Sequence, residues 1–532
     1  MITTFVNGSV FDGRRHLPGE SVVIEDGVVL GLGRGEDADL VVDIAGGLVA
    51  PGFVDAHVHV VQGGLERIRC DLSDVETRAG YLARIAEYAA SHPELPWILG
   101  GGWSMAAFPG GTAQASDLDA LVADRPVFLV NRDHHGAWVN SRALDLAGVD
   151  RATADPDDGH FDRDADGRPT GTLHEGAMAA VTRLIPATDP DEFYRGFLEG
   201  QRHLHSFGVT GWQDAILGTY AGIDDPSATY LRAAESGDLT ADVVGALWWE
   251  RERGLEQVPE LIARRAALTH GRLRATSVKI MQDGIAENGT AAMLTPYLDR
   301  CGHATANLGH SFISAQALRQ YVAALDAEGF QVHVHAIGDR GVRETLDALT
   351  GTRRELRHHV AHLQVIHPDD VPRFAALGVT ANLQALWACK DDQMVDLTIP
   401  VLGPERSGWQ YPFADLVRAG AALAMGSDWP VSSPDPLAAI HVAVNRTAYG
   451  AEGIEGSDPL LPAQAIDLTT AFAAYTSGSA RINHRDQSGV LDPGTVADLV
   501  VLDRDPFAGE VQEIGATRVV STWVDGEPVY VS

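Results

Sequence analysis

From about residue 205 onward, apolar runs of strand length alternate with longer stretches in which apolar residues recur at helical spacing. The strand-length runs fall at 209–212, 243–247, 276–281, 331–335, 359–362, 379–383 and 422–426. An earlier run, Pro51-Gly52-Phe53-Val54-Asp55-Ala56-His57-Val58-His59, breaks out of a glycine-rich segment and ends in two histidines. Counted with it, the strands number eight with helices between them, which predicts an α/β fold, a (β/α)8 TIM barrel.

Both chain ends have a different texture. Residues 1–50 alternate short β-prone runs with turn pairs such as Asn7-Gly8 and Asp26-Gly27, and the last fifty residues do the same. The two ends are expected to close one small β-sandwich, residues 1–50 with 485–532. Residues 51–69 and 191–484 are then the barrel. Residues 70–190 are too many for one βα connection and predict an insert or lid domain after the first barrel strand, over the barrel mouth. Within it the pattern predicts a helix over 77–91, a strand over 127–130 and a solvated loop over the Asp- and Gly-rich stretch 155–171. That stretch lacks the spacing and terminal Glu of an EF-hand.

Composition narrows the function classes. A net charge of −33 would repel nucleic acid and anionic membrane surfaces, so a small-molecule substrate is expected. No apolar run is long enough to span a bilayer, and the first residues lack the basic start and apolar core of a signal peptide, which predicts a cytoplasmic protein. A homodimer is the expected assembly. The three cysteines, Cys70, Cys301 and Cys389, are too scattered for a disulfide framework or a Cys-x-x-Cys site. Any metal must be held by His, Asp, Glu or Lys.

Residues of those types recur at the predicted strand ends. His57 and His59, two apart in a strand, project from one face, close enough to share a divalent ion. Lys279 lies late in the fourth strand, His335 ends the fifth, His362 the sixth, and Asp428 follows the eighth. At the carboxyl-terminal face of a barrel these positions converge. His203 and His205 lie in a helical stretch where i and i+2 face apart, so packing roles are expected. His333 shares the face of His335 but sits deeper, as a core residue or one that supports a ligand.

The Pro-Gly-Phe-Val-Asp-Ala-His-x-His opening, His333-Val334-His335-Ala336-Ile337-Gly338-Asp339, Gly426-Ser427-Asp428-Trp429-Pro430-Val431 and Gly494-Thr495-Val496-Ala497-Asp498-Leu499-Val500-Val501-Leu502 occur in order along nearly the whole chain. Together they resemble the amidohydrolase superfamily, and within it the amidohydrolase-3 branch that includes N-substituted formamide deformylases. The resemblance implies one or two divalent ions, zinc foremost. His57 and His59 would bind the more buried ion, His335 and His362 the second, with Asp428 contacting metal and shuttling protons. Lys279 matches the position that bridges two metals in many relatives. An ammonium has no lone pair to offer, so that role requires carbamylation by CO2. The alternative is an unmodified lysine that pairs with Asp283 or orients substrate. Asp133-His134-His135 matches an insert motif usually written Asp-Gly-His, with His134 in place of the glycine.

The implied activity is hydrolysis of a non-peptide, amide-type C–N bond in a small N-substituted formamide or amide by a metal-activated hydroxide, with Asp428 as the catalytic acid–base group. Trp103, His135 and Trp138 from the insert, with Gln282, Gln384 and Trp387 after barrel strands, are the expected substrate contacts. One alternative is a deaminase or cyclic-amide hydrolase of a nucleobase-like ring. Many such enzymes place Glu three residues after the fifth-strand His, where this chain has Gly338. A second alternative is a catalytically inactive binding protein on the same fold.

Overall fold

The computed structural model describes residues 1–33, 38–220, 223–299, 301–450 and 458–532. At its centre, consecutive parallel strands run Phe53–Val58, Val209–Leu217, Asp242–Trp248, Leu273–Met281, Gln331–Ala336, His359–His362, Thr380–Leu383 and Leu423–Met425, each paired with the next. They form the nearly closed (β/α)8 barrel that the alternation of runs predicts. These strands are buried on both faces. In the fifth, Val332 and Val334 join the large apolar core while Gln331, His333 and His335 alternate with them.

The first and last strands meet through side chains rather than a full ladder. The buried Asp55 carboxylate accepts the backbone N–H groups of His57 and Ser427, each at 3.0 Å, and the Asn382 amide donates to the Ala56 carbonyl at 2.9 Å. Past the strand ends, Asp428 N–H donates to His57 C=O at 2.7 Å and His59 N–H to Trp429 C=O at 2.9 Å. Gly426 permits this approach, since a Cβ there would lie 2.5 Å from the His57 nitrogen.

After the helix Val60–Ile68 the chain leaves the barrel and returns with the helix Pro190–Ser206. The two helices lie together, Leu65 near Phe193 and Phe197 in the same core, with Arg67 paired to Glu199 and Arg69 to Glu192. Between them a six-stranded sheet runs in the order Gly159–Arg163, Pro169–Glu175, Gly136–Val139, Val127–Asn131, Ile98–Trp103, Cys70–Asp71. The predicted helix is present as Arg78–Ser91, with the Thr77 hydroxyl accepting from Gly80 N–H at its N-terminus. The expected solvated loop over 155–171 is instead mostly a β-hairpin. Its turn is fixed by Asp164, whose carboxylate accepts from the N–H groups of Asp166 and Arg168, with Gly167 at φ 77°.

Both chain ends enter one further sheet, where Leu48–Pro51 runs antiparallel to Leu499–Leu502. A four-stranded sheet of residues from the first fifty shares a core with it, in which Phe5 meets Trp523 edge to face at 5.3 Å. Among the described residues no helix is long and apolar enough to cross a membrane.

Candidate metal centre

Strand register brings the predicted residues together. Lys279 lies opposite His333, Met281 opposite His335, and Ala336 opposite His362, so the fourth, fifth and sixth strands present their polar groups at neighbouring levels. Asp428 stands among three histidines: its Oδ1 is 3.2 Å from His57 Nε2 and 3.0 Å from His59 Nε2, and its Oδ2 is 3.7 Å from His362 Nδ1. Ligand atoms held ~2.0–2.1 Å from one tetrahedral ion lie roughly 3.3 Å from each other. The separations of Asp428 Oδ1 from His57 and His59 are near that edge, and the ligand atoms of all three residues lie within 4.8 Å of one another. The His335 and His362 rings are 4.2 Å apart, and His335 Nε2 contacts Gly284 C=O at 3.4 Å.

The donor set fits a divalent ion by a second observation. Both ring nitrogens of His362 are buried without a hydrogen-bond partner, a costly state for a polar ring unless a cation takes its lone pair. Burial, and then the charge of Lys279, pushes the His57 imidazole down to about 3. Burial likewise holds His335 and His362 well below the ordinary histidine range. All three are therefore neutral near pH 7, the form that donates a lone pair. Burial opposes the Asp428 charge, but the contacts with His57 and His59 outweigh it and keep the carboxyl well below the usual range. His362 and Asp428 both have positive φ, 77° and 56°, strained conformations that their surroundings must enforce.

Lys279 is buried below this cluster, with Nζ 3.3 Å from His57 Nε2 and 3.4 Å from His333 Nε2. His333 Nε2 in turn lies 2.9 Å from His57 Nδ1, so the deeper fifth-strand histidine supports His57. Burial lowers the Lys279 amine to about 7. The alternative pairing with Asp283 is not formed. That carboxylate accepts the N–H groups of Ala292, Ile337 and Gly338 at 2.8–3.0 Å.

The expected substrate contacts divide. Trp387 stacks on His362, rings 5.5 Å apart and 6° from parallel. His135 lies 5.7 Å from His335, ring to ring, and bonds Glu175 through Nδ1 at 2.9 Å. Gln384 accepts the His362 N–H at 2.6 Å, which makes it a support for that ligand. Trp103, Trp138 and Gln282 differ from expectation. The two tryptophans are fully buried around Phe108, with their indole N–H groups bonded to the carbonyls of Leu129 and Gln114, so they pack the insert rather than wall a gorge. Gln282 donates its amide N–H groups to Ile313 C=O and Glu344, which turns its nitrogen away from a substrate role, while its Oε1 is buried without a partner. Beside His59 there is a cleft of about 20 Å³ that also touches Asp214 and Tyr220.

His134 takes the left-handed conformation, φ 63°, that a glycine would occupy, and its ring meets Glu66 at 3.2 Å. The His-for-Gly departure therefore keeps the backbone shape. His205 is a packing residue, bonded to Val209 C=O and Thr240. Two functional positions escaped the sequence reading: Asp55, which ties His57 to Ser427, and Glu175, which ties His135 to Thr290. For Asp55 a signal exists, a carboxylate inside an otherwise apolar strand two residues before His57. Glu175 has none.

Comparison with known proteins follows the same lines. Residues 40–530 match the model of the "Amidohydrolase family". The chain is 30% identical to the Arabidopsis thaliana protein LONG AFTER FAR-RED 3, over 98% of this chain and 91% of that one. It is 25% identical to the N-substituted formamide deformylase of Arthrobacter pascens, over 91% and 89% respectively. Among solved structures it resembles an uncharacterized metal-dependent hydrolase from Pyrococcus furiosus, with TM-score 0.70 and 25% identity, covering 95% of this chain and 100% of that one.

Proposed function

The chain belongs to the amidohydrolase family, and from that premise we propose that it hydrolyses the C–N bond of a small N-substituted formamide or related non-peptide amide. The observation that carries the proposal is the convergence of His57, His59 and His362 on one buried carboxylate, Asp428, at the barrel mouth. His57, His59 and Asp428 would hold one ion, and His335 and His362 would hold a second. A bound divalent ion, zinc by its preference for this donor set, would supply an acidified water and polarise a carbonyl oxygen. Asp428, ionised and within reach of the same point, accepts the water's proton and returns it to the departing nitrogen. Lys279, its amine lowered to about 7 by burial and so partly unprotonated near neutral pH, adds CO2 at Nζ with loss of one proton, giving a carbamate whose oxygens would serve as metal ligands. His135 and Trp387 border the substrate.

Support for the formamide class comes from the similarity to the deformylase along most of both chains. The ring-deaminase reading lacks its acid. A Cβ on Gly338 would lie 2.1 Å from the Ala292 carbonyl oxygen, so no glutamate can stand there without moving the backbone. The test is kcat/KM for N-benzyl and N-alkyl formamides and acetamides against dipeptides, dihydropyrimidines and aminopyrimidines. Formamides should lead. A tenfold preference for a ring-opening or deamination substrate would overturn the substrate class and leave the metal centre intact.

A further inference from the structure

We propose that His160, Asp162 and His174, on the insert hairpin, form a second site for a divalent transition ion, separate from the barrel centre. Hairpin register assembles it. His160 is the cross-strand partner of His174, and Asp162 lies where the strand register shifts, between Phe161 and Arg163, with its carboxylate toward both imidazoles. Their potential ligand atoms all lie within 4.8 Å of one another. Asp162 Oδ1 is 3.5 Å from His160 Nε2, and Asp162 Oδ2 is 3.3 Å from His174 Nε2. A charge-assisted hydrogen bond would bring such pairs to about 2.7–2.9 Å. Asp162 thus faces one imidazole with each of its oxygens at spacings longer than a direct hydrogen bond and near the roughly 3.3 Å that separates two ligand atoms of one zinc ion, and the two imidazole rings stack 4.4 Å apart.

The surroundings supply what such a site needs. His174 is buried and turns its Nε2 to Asp162. The Thr112 hydroxyl donates to Asp162 Oδ2 at 2.8 Å and fixes the carboxylate plane, the usual outer support of a metal ligand. All three side chains line a cavity of about 200 Å³ shared with Glu287 and Asn288, which provides an entry path and room for water at the fourth position. Two imidazoles and one carboxylate select zinc or a metal of similar preference over magnesium or calcium. The hairpin ends in Glu175, the partner of His135, so an ion here would stiffen the segment that holds His135 against the barrel centre.

Equilibrium dialysis of the full chain against zinc tests the assignment, with His160→Ala and Asp162→Asn as variants. His160 is 41% exposed, so its truncation leaves the fold standing. Each variant should bind one zinc fewer per chain than the wild type, and zinc should raise its thermal midpoint less. Zinc-edge diffraction from wild-type crystals saturated with zinc should place an ion among the three side chains. Equal zinc content in wild type and both variants, or no ion at that place in the crystal, would overturn the proposal.

Discussion

Asp428 is the residue on which the barrel site turns, because it faces His57, His59 and His362 at once and its backbone is held in a left-handed conformation by its neighbours. Asp428→Asn keeps the size of the side chain and removes the base. The expected outcome is a fall in kcat of about 100-fold or more on the best substrate, with the fold retained by circular dichroism. Near-normal turnover would show that another group moves the proton. At this scale the sequence was most legible where geometry is local. Two histidines at i and i+2 in a strand must share a face, and His57, His59, His335, His362 and Asp428 gather at the strand ends with Lys279 below them. It was least legible for aromatic side chains. Trp103 and Trp138 belong to the insert, as expected, but whether an indole faces a cavity or a neighbouring sheet depends on packing that no periodicity encodes.

Among elements, the joint between the first and last barrel strands determines whether the site exists. Asp55 accepts one N–H from each side of that joint, from His57 and from Ser427, in a fully buried position. Asp55→Ala strands two buried donors, each costing about 1–3 kcal/mol. Chemical denaturation should show destabilisation on that scale, and zinc affinity at the barrel centre should fall with it, since His57 and Asp428 are the residues the joint positions. Unchanged stability and zinc binding would remove Asp55 from the account. Element types were readable from pattern, because strand runs bounded by glycine and helices with spaced apolar residues leave few alternatives. The hairpin over 155–171 was not. Its acidic composition reads as solvated loop, and only the carboxylate-braced turn at Asp164 shows why a polar stretch can still form paired strands.

Across the whole molecule, the sheet that joins Leu48–Pro51 to Leu499–Leu502 draws together the two ends of the chain, and the insert leaves and re-enters the barrel between adjacent helices. The strand count carried the barrel, and similar texture at both ends carried their union. How the insert sits on the barrel could not be read, because the residues involved, such as Ile285, Met293 and Tyr297 against Trp103, lie far apart in sequence and share no motif. The central claim is that His57, His59 and Asp428, from the first and eighth strand ends, form one metal centre in a hydrolase. Anomalous diffraction at the zinc edge, from wild-type crystals grown with zinc, tests it most directly. The account predicts an ion bonded to His57, His59 and Asp428, with continuous density extending Lys279 beyond Nζ as a carbamate. A zinc-saturated crystal with no ion among His57, His59 and Asp428 would contradict it.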